Sequence, residues 1–417
     1  MRYLRDNAAR AARKLGALLM VSTVVGTVAS CDDPSGFDTE EVVIGGVFSL
    51  TGNWSSLGVT SQAALELAVE DANLLLAPRG LRFRADVRDT KLDPQLALSS
   101  LQALRAAGAQ IVIGPQSSAE LAVLKPYADA NPVLLVSQSS TAGSLAIAGD
   151  NILRFTPADS LEGVAISALM WDEGIRAVVP VWRADAGNQG LHTATAARFG
   201  GLGGTVSTGV EYGTATSSFA ATVAALSAQV GQALATRPAS QVAVYLAGFD
   251  EVALLFAAAA ADPTLASVRW YGSDGVALSA ALLTPASAAF AEAVGYPNPI
   301  FGLDDSSRDS WKPVADRIKA RSGMDPDAFA LAVYDAVWVA AHAYLASPDQ
   351  PSVDSLKARF VAAAATYHGT TGWIALNAAG DRKFADFDFW AIRTVGAGRA
   401  WVRVAHYDTR LGTLTRP

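Results

Sequence analysis

The chain has 417 residues, of which 51% are hydrophobic and 17% are charged, and its formal net charge at pH 7 is −7. This length and composition allow two globular domains with buried cores and argue against a disordered chain. The acidic balance, without any lysine- and arginine-rich segment in the body of the chain, argues against a nucleic-acid partner.

The first thirty residues have the pattern of an export signal. Residues 1–14 are rich in arginine, and an apolar stretch that is short for a membrane span follows and ends in small residues. The sequence "VASC" at 28–31 resembles the lipobox of bacterial lipoproteins, and Cys31 is the only cysteine. We therefore expect a signal peptide over 1–30, lipidation of Cys31 and an acidic tether over 31–40, with the body outside the cytoplasm. An uncleaved N-terminal anchor is the alternative.

From Val42 onward, short apolar runs alternate with segments of helical length. The clearest helix is expected at 59–76, where Leu65, Ala68, Val69 and Ala72 recur at helical spacing. Strands are predicted near Val42, Arg84, Gln110, Val133, Ala177, Thr205, Gln241 and Ser267. Strands that alternate with helices form parallel sheets, so we predict an α/β protein whose length favours two lobes over one large sheet.

Two connectors and a late hairpin organise the rest of the chain. Residues 151–160 form the first connector, with Asp159 expected to cap a helix, and residues 295–310 form the second. Helical segments follow, and residues 370–392 suggest a hairpin that turns at Gly380 and Asp381.

Two strand-end loops are rich in hydroxyl groups. The runs "IVIGPQSSAEL" at 111–121 and "VLLVSQSSTAGS" at 133–144 each pass from a buried strand into small polar residues. Ligands of parallel sheets bind beyond the carboxyl ends of the strands, where helix N-termini also point. We expect both loops to face a cleft.

The order of these landmarks resembles the type I periplasmic binding proteins of the leucine/isoleucine/valine-binding family, which serve branched-chain amino-acid ABC transporters. The resemblance rests on eight segments that keep the family's order over nearly all of the chain from Glu41: "GVFSLTGNWSSLG", "VRDTKLDPQLAL", "IVIGPQSSAEL", "VLLVSQSSTA", "ILRFTPADS", "WYGSDGV", "YDAVW" and "GTTGWIALNAAGD". It implies two Rossmann-like lobes with parallel-dominated sheets, joined by crossings near 156–159, 297–302 and 383–388. One lobe is expected to hold 41–157 and 300–384, and the other 158–299 and 385–417.

The resemblance assigns one end of an amino-acid ligand to the hydroxyl loops. Ser118 and Thr141 match the family's carboxylate-binding positions, and Ser139 matches a position whose backbone carbonyl accepts a hydrogen bond from the ammonium. Hydroxyls and free N–H groups at a helix N-terminus bind a carboxylate without a formal positive charge. A plain helix cap is the alternative role for Ser118 and Thr141.

Asp274, in the run "GSDG", matches the acidic position that binds the ligand's ammonium. A charge-assisted hydrogen bond in a dry cleft is strong, so this residue separates an amino-acid receptor from an amide or urea receptor of the same fold, which needs no acid there. The alternative is a polar turn after a strand.

The resemblance places the wall of the side-chain pocket at Trp54, Leu57, Phe249 and Phe329. Leu57 and Gly187 stand where founding members carry aromatic residues, which predicts a pocket of different shape. Ordinary core packing is the alternative for each aromatic residue.

Together these residues predict a binding protein that captures a small, aliphatic or branched-chain amino acid and delivers it to ABC permease subunits. We expect a monomer without a cofactor or metal and without enzymatic activity, because the four histidines lack metal-ligand spacing and no nucleophile or phosphate-binding motif is present. A ligand-sensing module for a sensor kinase or chemoreceptor and an amide or urea receptor are the alternatives, with a hydrolase further off.

Overall fold

A computed structural model describes residues 39–303, 307–347 and 350–417. The predicted signal peptide, the lipidation site Cys31 and most of the tether lie outside the described residues.

The first sheet is entirely parallel, with the strand order β2-β1-β3-β4-β5. Its strands β3 and β4 are continuous Ile, Val and Leu runs that are buried throughout, as expected when helices cover both faces of a sheet. The strands are β1 Glu40–Phe48, β2 Leu81–Asp89, β3 Ile111–Ile113, β4 Leu134–Ser137 and β5 Ile152–Arg154, and the helices between them are α1 Ser55–Leu76, α2 Pro94–Ala106 and α3 Ser118–Ala130.

The second sheet is also parallel, with the order β10-β9-β6-β7 and β8 paired to β6. Its buried strands are again apolar on both faces. The strands are β6 Ala177–Arg183, β7 Thr205–Val206, β8 Val210–Tyr212, β9 Val242–Ala247 and β10 Arg269–Tyr271; the helices are α4 Asp159–Asp172, α5 Ala186–Gly201, α6 Ala220–Leu234, α7 Val252–Ala259, α8 Pro263–Ala266 and α9 Pro285–Val294.

An antiparallel sheet with the order β11-β14-β15-β16 completes the fold. Phe301 lies opposite Phe387, so the segments predicted as the second and third crossings run side by side. The strands are β11 Asn298–Phe301, β12 His368–Gly369, β13 Gly372–Trp373, β14 Phe387–Val395, β15 Gly398–Asp408 and β16 Thr413–Thr415; the helices are α10 Arg308–Ser322, α11 Ala328–Leu345 and α12 Val353–Thr366.

Helix α11 is long and apolar enough to cross a membrane by length and composition, and it is the one such helix in the described part of the chain. It is 83% buried inside the protein. Since it packs against α1 and α12, its apolar character is accounted for by core packing.

The α/β prediction is confirmed, including each strand expected between Val42 and Ser267. The hairpin expected around Gly380 is largely wrong. The turn forms, but a single bridge joins Leu376 to Arg382, because Asp381 instead bridges to Arg154 at the edge of the first sheet. The regular hairpin lies later, between β14 and β15. The lobe boundaries stay a prediction.

Candidate functional site

One small cavity lies where the strand ends of the two parallel sheets face each other. Its volume is about 10 Å³, roughly the space for one water molecule. The first sheet contributes the loops after β3 and β4, and the second contributes the start of α5 and the loops after β9 and β10. The lining residues are Trp54, Ser117, Ser118, Ser139, Thr141, Gly187, Asn188, Leu191, Phe249 and Asp274.

Six of the eight predicted ligand-binding residues therefore lie around one space: Trp54, Ser118, Ser139, Thr141, Phe249 and Asp274. Leu57 and Phe329 do not line it and are fully buried in the hydrophobic core. For Phe329 this is the core-packing alternative, and Leu57 lies in the same core.

The capping alternative does not apply to Ser118, because its neighbour is the cap. Ser117 is the N-cap of α3 and forms a capping box with Glu120. The Ser118 hydroxyl instead accepts hydrogen bonds from the Ser140 hydroxyl at 3.0 Å and from the Ala142 N–H at 3.2 Å. Two accepted bonds leave the hydroxyl proton of Ser118 to donate.

Gln116 fixes the hydroxyl loops to the loop that carries Trp54. Its side-chain amide accepts a hydrogen bond from Ser49 N at 2.9 Å and donates to Trp54 O at 3.0 Å, while its backbone carbonyl accepts from the Ser139 hydroxyl at 2.7 Å. The Ser139 hydroxyl is thus engaged within the protein. The role predicted for Ser139 needs only its backbone carbonyl, so this bond does not conflict with it.

Arg154 holds the second hydroxyl loop from behind. Its guanidinium donates to Ala142 O at 2.7 Å and forms an ion pair with Asp381 at 2.5 Å, and the arginine is almost completely buried. The charge of Arg154 is therefore neutralised locally while its donors order the backbone beside Thr141.

Trp54 and Phe249 close the cavity from opposite sides of the cleft. Their rings stack with centroids 4.0 Å apart and an interplanar angle of 16°, and Phe329 meets Trp54 edge-on at 6.3 Å. Trp54 has φ of 56°, in the left-handed region that a bulky residue rarely adopts, so its placement at the start of α1 is strained.

Polar contacts beside this stack also join the two sides. Asn53 donates to Glu251 at 2.6 Å, and the Ser56 hydroxyl donates to Asp250 at 2.9 Å. Burial raises the pKa of Asp250. These bonds link the start of α1 to the loop between β9 and α7, so opening the cleft requires that they break.

Three buried carboxyl groups gather on the side of the second sheet: Asp159, Glu162 and Asp274. Burial raises the pKa of Asp274 to about 6 and that of Asp159 to about 7, and the charge of Asp274 adds to the rise at Asp159. The backbone N–H of Asp274 donates to Glu162 Oε1 at 3.2 Å. Among the described residues, no group makes a hydrogen bond of good geometry to either carboxyl oxygen of Asp159.

The expectation that Asp159 caps a helix is wrong by one position. Ala158 is the N-cap of α4 and provides no side-chain hydrogen bond, while Asp159 is the first helical residue. Its side chain turns toward α5, where a Cβ on Gly190 would come within 2.0 Å of Asp159 Oδ2. A side chain at position 190 would therefore displace the Asp159 carboxyl group from this position.

The sequence interpretation did not assign Asp159 or Glu162 to the site. Two acids at spacing i, i+3 in the first turn of a helix share one face, which is a visible signal. Their placement against Asp274 depends on how α4 meets the loop after β10, and spacing alone does not reveal that.

Among the described residues, no group of three or more His, Cys, Asp or Glu side chains is arranged to hold a metal ion.

Comparison with known proteins identifies the family of the chain. Residues 60–394 match the family described as the receptor family ligand binding region. The chain belongs to this family. An uncharacterized protein of Methanocaldococcus jannaschii is 25% identical to this chain over 399 residues, which cover 91% of this chain and 93% of that protein. A chemotactic signal transduction system substrate-binding protein of Halobacterium salinarum is 30% identical over 142 residues, or 32% of this chain and 34% of that protein.

Solved structures share the fold of this receptor-family protein. The leucine-binding protein LivK of Thermotoga maritima has a TM-score of 0.70 at 20% identity, with 90% of this chain and 99% of that one covered. LivJ of Streptococcus pneumoniae, solved with isoleucine, has a TM-score of 0.69 at 18% identity, with 87% and 100% covered. A solute-binding protein of R. palustris, solved with benzoate, has a TM-score of 0.68 at 18% identity, with 87% and 96% covered. The fold is that of the type I periplasmic binding proteins.

Proposed function

We propose that this protein is an extracytoplasmic substrate-binding protein that captures a small amino acid in the cleft and delivers it to an ABC importer. The observation that carries the proposal is the meeting of Ser118 and Thr141 with Asp274 around one cavity. Membership in a ligand-binding family and a shared fold with substrate-binding proteins of ABC transporters support it.

The hydroxyl side suits the ligand's carboxylate. Ser118 is the first residue of α3, where unpaired N–H groups and the helix dipole favour an anion, and its hydroxyl proton is free to donate. No formal positive charge is needed, and Arg154, the buried cation that contacts the second hydroxyl loop, is already paired with Asp381.

The acidic side suits the ligand's ammonium. Asp274 lies on the cavity wall with its charge desolvated, and a buried carboxylate without a cation gains most from a charge-assisted hydrogen bond. We assign the ammonium to Asp274 and the backbone carbonyl of Ser139.

An amino acid needs more space than the cavity offers, so the sides of the cleft must move apart for entry. Trp54, Leu191 and Phe249 then form the wall for the ligand's side chain, which supports an aliphatic or branched-chain ligand. A neighbouring cavity of about 340 Å³ shares the lining residues Phe249 and Ser117 with the first cavity. This second cavity leaves room for a longer ligand side chain.

The cellular setting belongs to the same proposal. We assign the protein to the outside of a bacterial membrane, held by a lipid on Cys31 after removal of the signal peptide, as a monomer that meets ABC permease subunits. Its role is binding without catalysis.

Calorimetry with each of the common amino acids, together with acetamide, urea and benzoate, tests the proposal. We expect binding of one or a few aliphatic amino acids and none of acetamide or urea. Absence of binding by every amino acid, or binding of an amide or of benzoate in their place, contradicts it.

A sensing role is the second candidate, favoured by the partial similarity to the chemotactic substrate-binding protein of Halobacterium salinarum. Both roles use the same ligand and the same closure. Uptake of labelled ligand by cells that lack the gene separates them: lost uptake indicates transport, while normal uptake with lost chemotaxis indicates sensing.

A further inference from the structure

We propose that Glu162 is a neutral, protonated carboxylic acid that positions Asp274, donating its O–H to the Asp274 carboxylate while it accepts the Asp274 backbone N–H. This positioning role rests on the proposed function of Asp274 as the partner of the ligand's ammonium. It gives a function to a buried acid that does not line the ligand cavity.

The carboxyl group of Glu162 reaches the backbone of Asp274, and the two side chains are hydrogen-bond neighbours. Glu162 lies in the first turn of α4 and is 2% exposed, and its Oε1 is 3.2 Å from the backbone nitrogen of Asp274. Asp274 begins a short 3₁₀ turn and is 7% exposed, with its side chain on the cavity wall. Glu162 therefore contacts Asp274 without lining the cavity itself.

The electrostatic surroundings oppose a second negative charge at Glu162. Burial, the charge of Asp274 and the charge of Asp159 all raise the pKa of Glu162 well above its ordinary value. The side-chain hydrogen bond from Glu162 in turn lowers the pKa of Asp274, which burial alone raises. The proton is thus held by Glu162, and Asp274, the member of the pair on the cavity wall, stays available as the anion.

The elements packed around Glu162 and Asp274 contribute more acidic side chains than basic ones. Strand β9 contributes Tyr245, whose hydroxyl is buried, and the N-cap of α11 contributes Asp327, whose pKa burial raises to about 7. Strand β5 contributes Arg154, whose charge acts on Asp159 but is paired with Asp381. Ionisation of Glu162 would add one more charge to this group, at a high desolvation cost.

The buried carboxyl group of Asp159 lies beside Thr141 at the cavity wall. Asp159 is 2% exposed, and both of its carboxyl oxygens lack a hydrogen bond of good geometry among the described residues. The Thr141 hydroxyl, on the cavity wall, and the Gly143 N–H approach Asp159 closely enough to lower its pKa, although neither makes a well-formed hydrogen bond. A cation bound beside Thr141 and Asp274 would give the cluster the charge that it lacks.

Infrared spectroscopy of the full folded domain at neutral pH tests the proton directly, without any ligand. With isotope-labelled glutamate, we expect the difference between wild type and Glu162→Gln to show the loss of a protonated-carboxyl C=O band. The matched control is Glu173→Gln, at the other end of α4, where the glutamate is paired with Arg269 and an ionised carboxylate band should be lost. Loss of a carboxylate band in Glu162→Gln overturns the proposal.

The titration of Asp274, followed by the resonance of its side-chain carboxyl carbon, tests the positioning role. Glutamine retains both a donor and an acceptor, so Glu162→Gln should leave the pKa of Asp274 nearly unchanged. Glu162→Leu removes the donor and should raise it. If both variants lower that pKa, Glu162 carries a negative charge in the wild type and the proposal is wrong.

The outcome of these tests does not depend on whether the protein binds an amino acid. A protonated Glu162 in a protein that binds no amino acid refutes the function and leaves the inference about the proton intact. An ionised Glu162 in a protein that binds amino acids supports the function and refutes the inference about the proton. If Glu162→Leu does not fold, the infrared result and the titration of Glu162→Gln still decide.

Discussion

The two sides of the cleft differ in the kind of polar group that they bring to the cavity. On the hydroxyl side, Ser118, Ser139 and the backbone beside Thr141 are held by a connected set of hydrogen bonds that runs through Gln116 and Arg154. On the acidic side, the Asp159 carboxyl group has no well-formed hydrogen bond within the described part of the chain, and Asp274 is buried beside other acids. Donors can be preorganised at little cost, whereas buried negative charge needs a counter-charge. We infer that one side is built ready for the ligand and the other is completed by it.

The largest expected effect comes from Asp274→Asn. Removal of the carboxylate leaves a buried ammonium without a charged partner, which costs roughly 2–5 kcal/mol, or about 30-fold to several thousandfold in Kd. Calorimetry with the amino acid that binds best measures it, with Glu173→Gln as the control. An unchanged Kd removes Asp274 from the site.

The hydroxyl side should respond less and in a residue-specific way. Ser118→Ala removes one donor to a carboxylate, so we expect a Kd weaker by about 10- to 100-fold, or roughly 1.5–3 kcal/mol. Ser352→Ala, at the N-cap of α12 and outside the cavity lining, is the matched control: it removes a helix cap and should lower the free energy of unfolding by about 1 kcal/mol with little change in Kd. The reverse pattern between the two serines contradicts the assignment.

The acidic side should make the ligand-free protein less stable as pH rises. The pKa values of Asp274 and Asp159 are raised in the folded state to about 6 and about 7, so the folded state holds more protons than the unfolded state between about pH 4 and pH 7. Their contribution to stability is complete below the unfolded pKa and is lost as pH rises through the folded pKa. We expect a lower melting temperature at about pH 8 than at about pH 5, measured by calorimetric scans.

Asp159→Asn should flatten this pH dependence, because it removes one of the titrating groups. A melting temperature that rises steadily over the same interval, in wild type and variant alike, shows that these carboxyls are not buried with raised pKa values.

The smallest effect is expected at the aromatic wall. Phe249→Leu disrupts the stack with Trp54, worth roughly 0.5–1.5 kcal/mol, and should change Kd by up to about tenfold together with the tryptophan fluorescence on ligand binding. Phe329→Leu, in the core, should lower stability and leave Kd nearly unchanged. Equal effects of both variants on Kd place Phe329 at the ligand.

The features of the cleft that could be predicted from the sequence are those that depend on short, local residue patterns. Continuous apolar runs such as 134–136 predict buried parallel strands, and parallel strands bring their end loops to one edge, which places Ser118 beside Thr141. The resemblance to a known family placed Asp274 and Phe249 on the opposite wall. These four residues lie around one cavity as predicted.

Other features depend on packing between segments far apart in the chain. Leu57 and Phe329 were expected at the ligand but lie in the core, because α1 and α11 pack tightly against each other. Ser117, one position away, takes the cap that Ser118 was equally suited to provide. The contact of Glu162 with Asp274 joins residues 112 positions apart, and no spacing rule reaches that distance.

The most direct test of the central claim compares the amino acid that binds best with two analogues, its deaminated acid and its amide. The account predicts that only the amino acid binds tightly, because the hydroxyl side needs a carboxylate and the acidic side needs an ammonium. Equal affinity for the deaminated acid contradicts it, since Asp274 would then have no partner in the ligand.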